Sequence, residues 1–114
     1  MGWAQGAAPH AQSSQDKKEL ATLAQLEKKQ VAAKAAYTKA PKKADLKKAY
    51  VDATMKLADT VLVSPALGPR VKYPKSLRLY REVYKADSTN TNAKKQIDLI
   101  ESIYKSMGRP IPPQ

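Results

Sequence analysis

The stretch from Tyr73 to Gly108, YPKSLRLYREVYKADSTNTNAKKQIDLIESIYKSMG, decides the fold. Its apolar residues recur at intervals of three and four on both sides of one polar turn, Asp87-Ser88-Thr89-Asn90. This is the period of an amphipathic helix, so the stretch predicts two helices joined by a tight turn. Because the connection is short, the two helices are expected to lie side by side and antiparallel.

Two further helices are expected before this hairpin. A helix over 16–39 is predicted because Asp16 and Glu19 form a capping-box pattern at its start and Pro41 cannot continue it. A second helix over 43–61 follows after a short connection. Together with helices over 74–86 and 91–107, they predict an all-α domain over 16–108 that is built of antiparallel helical hairpins.

Each predicted helix carries one apolar stripe, which we expect to face the core. The stripes include most of the six tyrosines, so we interpret the tyrosine rings first as core residues. In chain order the stripes are Leu23, Leu26, Ala33, Tyr37 and Ala40; Leu46, Ala49, Tyr50, Ala53, Leu57 and Val61; Tyr73, Leu77, Tyr80, Val83 and Tyr84; and Ala93, Ile97, Ile100, Tyr104 and Met107.

Three segments lack a helical period. Residues 62–72 contain Pro65, Gly68 and Pro69, which predict an irregular connector packed on the helices. Residues 1–15 form a low-complexity N-terminal tail and residues 109–114 a proline-rich C-terminal tail, both expected to be disordered or extended. The N-terminal tail is similar to the region that follows a removed signal peptide, which slightly favours an exported, periplasmic location over a cytoplasmic one.

The composition argues against catalysis. The 114 residues include no Cys, and the one His, His10, lies in the N-terminal tail. No set of nucleophile, base and carboxylate and no glycine-rich phosphate loop can be assembled from this sequence. We therefore expect no enzyme activity, no catalytic residue, no metal, no cofactor and no small-molecule substrate.

The strongest compositional signal is a net charge of +11, which comes mostly from lysine. A lysine-rich field attracts anionic surfaces with little specificity. Three kinds of partner stay open: an acidic protein, nucleic acid bound in the manner of a basic ribosomal or chromatin protein, and the surface of an anionic membrane. Two basic clusters stand out, Lys39, Lys42, Lys43, Lys47 and Lys48 around the first turn, and Arg70, Lys72, Lys75, Arg78 and Arg81 near the start of the third helix.

The hairpin at 73–108 resembles a tetratricopeptide repeat. Ser76, Tyr80 and Val83 have the small, aromatic and small spacing of the family's second helix. Asp87-Ser88 stands where the family has its Asp-Pro turn, and Ile97 where the next first helix has leucine. The resemblance covers about 17–108, although the family's Trp and its Gly-x-x-Tyr are missing. A weaker upstream copy consists of Ala33, Tyr37, Ala40 and Pro41, followed by Leu46 and Ala49.

The resemblance implies a short right-handed array of helical repeats that acts as a non-catalytic protein-protein interaction module, an adaptor, scaffold or accessory subunit of a larger assembly. The first helix of each repeat would line a concave surface that binds an acidic protein. The family's carboxylate clamp needs asparagines where this chain has Val51 and Leu99, so only Lys47 and Lys95 would contact carboxylates. The implied partner-binding residues are Lys47, Val51, Thr54, Met55, Lys95, Leu99, Ser102 and Ile103.

Overall fold

The computed structural model describes residues 14–114, and within this range all regular secondary structure is α-helical. Four helices follow one another: α1 (Ser14–Lys39), α2 (Ala44–Val63), α3 (Pro69–Ala86) and α4 (Thr91–Ser106). The predicted all-α fold with four helices is therefore confirmed. The first thirteen positions of the predicted N-terminal tail, with His10, lie outside the described residues.

Each helix packs against the next one in the chain. Between α1 and α2, Tyr37 stacks on Tyr50 and Gln30 bonds to Thr54, so the contacts run backward along α1 as they advance along α2. This is the antiparallel arrangement that the short connections predict. The third helix α3 also reaches α1, because Lys75 pairs with Glu27 across the two helices.

Two helix starts differ from the sequence-based prediction. Helix α1 begins at Ser14, so Asp16 is not the cap but an acidic residue in the first turn, where it faces the positive end of the helix dipole. Helix α3 begins at Pro69 rather than Pro74. Proline suits the first helical position, while Pro74 within the helix forfeits one backbone hydrogen bond. The irregular connector of 62–72 therefore shrinks to residues 64–68.

The turn between α3 and α4 is held by two side chains. Asp87 Oδ1 accepts hydrogen bonds from the backbone N–H and the hydroxyl of Thr89, and these bonds lower the pKa of the Asp87 carboxyl. Asn90 caps α4, since its side-chain oxygen accepts a 2.9 Å bond from the N–H of Ala93. The turn therefore fixes where α4 starts.

Helix α4 ends in a Schellman motif. The N–H of Gly108 bonds to the carbonyl of Lys105, and the N–H of Arg109 bonds to that of Tyr104. Gly108 has φ of +67°, a left-handed conformation that glycine adopts without a steric penalty. This residue turns the chain out of the helix, and the following residues run back toward α3.

The main core cluster draws on all four helices. Helix α3 contributes buried residues at 76, 77, 79, 80 and 83, which is wider than one stripe, because it lies against three other helices. The stripe residues in the second half of α1 are only half-buried, and the buried residue in that half is Gln30. The main cluster comprises Leu23, Leu26, Leu57, Ala58, Val61, Leu77, Leu79, Tyr80, Ile97, Ile100 and Tyr104.

Candidate functional site

Two of the four predicted partner-binding residues of α2, Val51 and Thr54, are buried. Thr54 is fully buried, where its hydroxyl donates to the carbonyl of Tyr50 and accepts from Gln30. Val51 is also buried, against Val83 and Ala93. The assignment of Val51 and Thr54 to a binding surface was wrong, because α2 packs against both α1 and α3 and has only a narrow free face. Lys47 and Met55 are half-buried.

The predicted residues of α4 have the opposite placement. Lys95, Leu99 and Ser102 are exposed, and Ile103 is half-buried. Helix α4 packs mainly on α3, so the side turned away from the core has no covering element among residues 14–114. The exposure of Lys95, Leu99 and Ser102 agrees with the prediction that they lie at the surface, and their role in binding a partner stays a prediction.

An apolar strip follows one flank of α4. Leu99, Ile103 and Met107 recur every four residues and therefore lie one above the other along the helix. Leu99 is 48% exposed and Met107 45% exposed. We call these three residues the α4 strip. Met107 was predicted to be a core residue, and it is exposed because it is the residue after the last helical turn, next to the chain reversal at Gly108.

The first basic cluster is an open cationic surface at the α1–α2 turn. Lys39, Lys42 and Lys43 are exposed and form no ion pair within residues 14–114. Lys48 pairs with Asp52 at 2.8 Å, and this hydrogen bond raises the pKa of the Lys48 amine. Because most of this cluster is unpaired, its charge is available to an anionic partner.

The second basic cluster is split by internal ion pairs. Lys75 Nζ lies 2.8 Å from Glu27, Arg78 lies 3.5 Å from Glu82, and Arg81 lies 3.3 Å from Glu101. The pairs of Lys75 and Arg81 join α3 to α1 and to α4, whereas the pair of Arg78 and Glu82 lies within α3. Only Arg70 and Lys72 of this cluster have no ion pair within the described chain, so the cluster acts largely within the fold.

Glu82 is the centre of a polar network that sequence reasoning missed. Its Oε1 accepts a 2.7 Å bond from the Tyr50 hydroxyl and lies 3.5 Å from Gln30 Nε2 and 3.2 Å from Lys34 Nζ. Burial raises the pKa of Tyr50, and the bond to Glu82 raises it further. The signal in the sequence was Gln30, a polar residue at helical spacing within the α1 stripe. The network joins three helices.

A groove of about 1130 Å³ lies between α3 and α4. Its walls include Arg78 and Arg81 of α3 and Asp98 and Glu101 of α4, and the last residues of the chain line it as well. Arg81 Nη1 donates 2.8 Å and 3.2 Å bonds to the carbonyls of Pro112 and Pro113. The C-terminal tail, predicted as disordered or extended, has neither helix nor strand and packs on the fold.

Neither a cluster of metal ligands nor a membrane-spanning helix occurs in the described chain. Residues 14–114 contain no group of three or more His, Asp or Glu side chains placed to hold a metal ion. None of the four helices is long and apolar enough to cross a bilayer. Comparison of the chain with protein-family models, with curated proteins and with solved structures finds no significant match.

Proposed function

We propose that this protein is a non-catalytic interaction module, an adaptor or accessory subunit, that binds an acidic helix of a partner protein on the outer side of α4. The observation that carries the proposal is the α4 strip, an apolar row left uncovered on a helix whose other side forms the core. Apolar side chains that lie one above the other and stay accessible along a helix favour a protein interface over ordinary surface.

The chemistry of the partner follows from the charges around the strip. Lys95 is exposed on α4, one turn before Leu99, and no ion pair involves it within residues 14–114. An amphipathic helix with apolar residues every three or four positions would pack on the strip, and a flanking carboxylate would meet this lysine. The net charge of +11 also favours an acidic partner and speeds encounter with one.

The repeat resemblance supports the same proposal. In helical-repeat proteins each unit packs on its neighbours, and the last unit presents a face on which a further helix can pack. Helix α4 has the position of such a last unit, with Leu99 and Ile103 on the open side. A partner helix on this side would extend the array by one layer.

The test locates the interface before it measures affinity. A photo-crosslinking amino acid replaces Leu99 in one variant and Val31 in a control, since Val31 is 56% exposed on α1 and far along the chain from α4. We expect a crosslink from position 99 alone, to a protein that is then identified and purified. Binding of that purified partner should weaken about tenfold or more in Leu99→Asp and little in Val31→Asp.

Salt separates this proposal from the nucleic-acid and membrane alternatives. Binding through six or more phosphate contacts falls by roughly 10³ between 50 and 200 mM salt. An interface with an apolar centre should lose far less over the same range. A steep salt dependence with a generic oligonucleotide or an anionic vesicle, unaffected by Leu99→Asp, would contradict the proposed function.

A further inference from the structure

The groove between α3 and α4 has no role in the interface proposed above. On α4 it is lined by Lys94, Ile97, Asp98 and Glu101. Since successive residues turn by about 100° around a helix, these positions lie on the flank opposite the α4 strip. The groove and the α4 strip are therefore separate surfaces of the same helix.

The C-terminal tail shows what kind of segment the groove accepts. Residues 109–114 read RPIPPQ and have neither helix nor strand. Ile111 packs against the main core cluster, and Pro112 and Pro113 line the groove. Prolines have no N–H, so a proline-rich segment presents mostly carbonyl oxygens and needs donors from its binding site. Arg81 supplies such a donor to two consecutive carbonyls.

The tail leaves one hydrogen-bond donor of Arg81 without a partner. Arg81 Nε is buried and has no hydrogen-bond partner within the described chain. Buried donors are normally paired, so this N–H is a donor that an acceptor replacing the tail would satisfy. The side chain of Arg81 is only 14% exposed, which strengthens any charge-assisted bond to it.

The charges of the groove point to the missing acceptor. Five cationic side chains and three carboxylates line it. Four of these cations pair with carboxylates of the fold, and Lys85 has no ion pair within the described chain. The tail residues that line the groove, Pro112, Pro113 and Gln114, have no acidic side chain. An acidic segment would supply carboxylates to Lys85 and to the Nε–H of Arg81, whose Nη2 already bonds to Glu101.

We propose that the α3–α4 groove is a docking site for an extended, proline-containing and acidic segment of another protein, and that residues 110–114 are a resident occupant which this segment displaces. The tail holds the groove closed to weak ligands, because a tethered segment acts at an effective concentration of roughly millimolar. Only a segment with carboxylates for Arg81 and its cationic neighbours competes well.

The test uses the full chain and a defined probe. The probe is a fluorescein-labelled synthetic peptide, Asp-Glu-Ile-Pro-Pro-Glu-Asp, and the control peptide has the tail sequence RPIPPQ. Fluorescence anisotropy gives the affinity of each for the wild-type chain and for Ile111→Ser, which removes the apolar anchor of the tail. If the tail occupies its own groove about nine-tenths of the time, Ile111→Ser should bind the acidic probe roughly tenfold more tightly.

Two arginine variants test whether the acidic probe binds in the α3–α4 groove. Arg81→Gln should weaken the acidic probe about tenfold or more, whereas Arg70→Gln removes the same charge from α3 outside the groove and should change binding less than about twofold. Equal effects of the two variants would overturn the site. Equal affinity of the wild type and Ile111→Ser for the acidic probe would overturn the claim that the probe displaces the tail. Equal binding of the two peptides would overturn the claim that the groove prefers an acidic segment.

A measurement on the wild-type chain guards against a variant that fails to fold. The Ile111 methyl signals in a ¹³C-labelled sample should move toward free-isoleucine positions as the acidic peptide saturates the protein. Signals that stay in place at saturation would overturn the proposal. Self-association of the chain without peptide binding would also overturn it, because the groove would then belong to the tail of a second copy. None of these outcomes depends on the α4 strip, so this inference and the proposed function fail separately.

Discussion

The bond between Tyr50 and Glu82 should contribute about 1.5–3 kcal/mol to stability, because its acceptor is a carboxylate in a largely buried setting. Tyr50 is 5% exposed and the Glu82 side chain 18% exposed, and their oxygens lie 2.7 Å apart. The neighbouring Lys34 and Arg78 are mostly exposed, so each of their ion pairs with Glu82 should add less than about 1 kcal/mol.

A double-mutant cycle of Tyr50→Phe and Glu82→Gln isolates this bond. Phenylalanine removes the hydroxyl but keeps the ring stacked on Tyr37, and glutamine keeps the size of Glu82 without its charge. Chemical denaturation of the four chains gives the free energies of unfolding. We expect a coupling of at least about 1 kcal/mol, somewhat below the full bond, because the amide carbonyl of the introduced glutamine still accepts weakly. Additive effects, with coupling under roughly 0.3 kcal/mol, would refute this account of the network.

Three further predictions concern pH, packing and the helix end. Burial raises the pKa of the Tyr50 and Tyr80 hydroxyls, so the unfolded state loses these protons at a lower pH than the folded state. The free energy of unfolding should therefore fall above about pH 10, by ~1.4 kcal/mol per pH unit for each group. Tyr50→Phe should reduce that slope in a series of denaturation measurements at about pH 9 to 11. Leu57→Ala should lower the free energy of unfolding by about 2–5 kcal/mol, since Leu57 is fully buried in the main cluster; a loss under 1 kcal/mol would contradict that placement. Gly108→Ala should cost about 1–2 kcal/mol from its left-handed backbone alone, because an added Cβ meets no atom within 4 Å, and thermal denaturation measures it.

The existence and order of the helices could be predicted because their apolar residues keep a helical period. The start of α3 could not, since Pro65, Gly68 and Pro69 read as breakers and only the structure shows that Pro69 takes the first helical position. Burial was predicted best where a helix has one neighbour, as on α4. It was predicted poorly on α2 and α3, which are covered from more than one side.

The same difference in packing explains which candidate surface residues were predicted correctly. Lys95, Leu99 and Ser102 were placed correctly at the surface, because nothing packs on the outer side of α4 within residues 14–114. Thr54 was misplaced, because its small polar side chain pairs with Gln30 from α1, and a pairing between distant helices leaves no period in the sequence. The groove was missed for a similar reason, since only the fold brings Arg81 to the tail.

The packing of each helix on its chain neighbour also determines how the molecule opens. The first half of α1, from Ser14 to Glu27, contributes only Leu23 and Leu26 to the buried core. Amide hydrogens there should exchange through local fraying. Amide hydrogens of α3, which packs on both α2 and α4 and pairs with α1 through Lys75, should exchange more slowly than those of the start of α1.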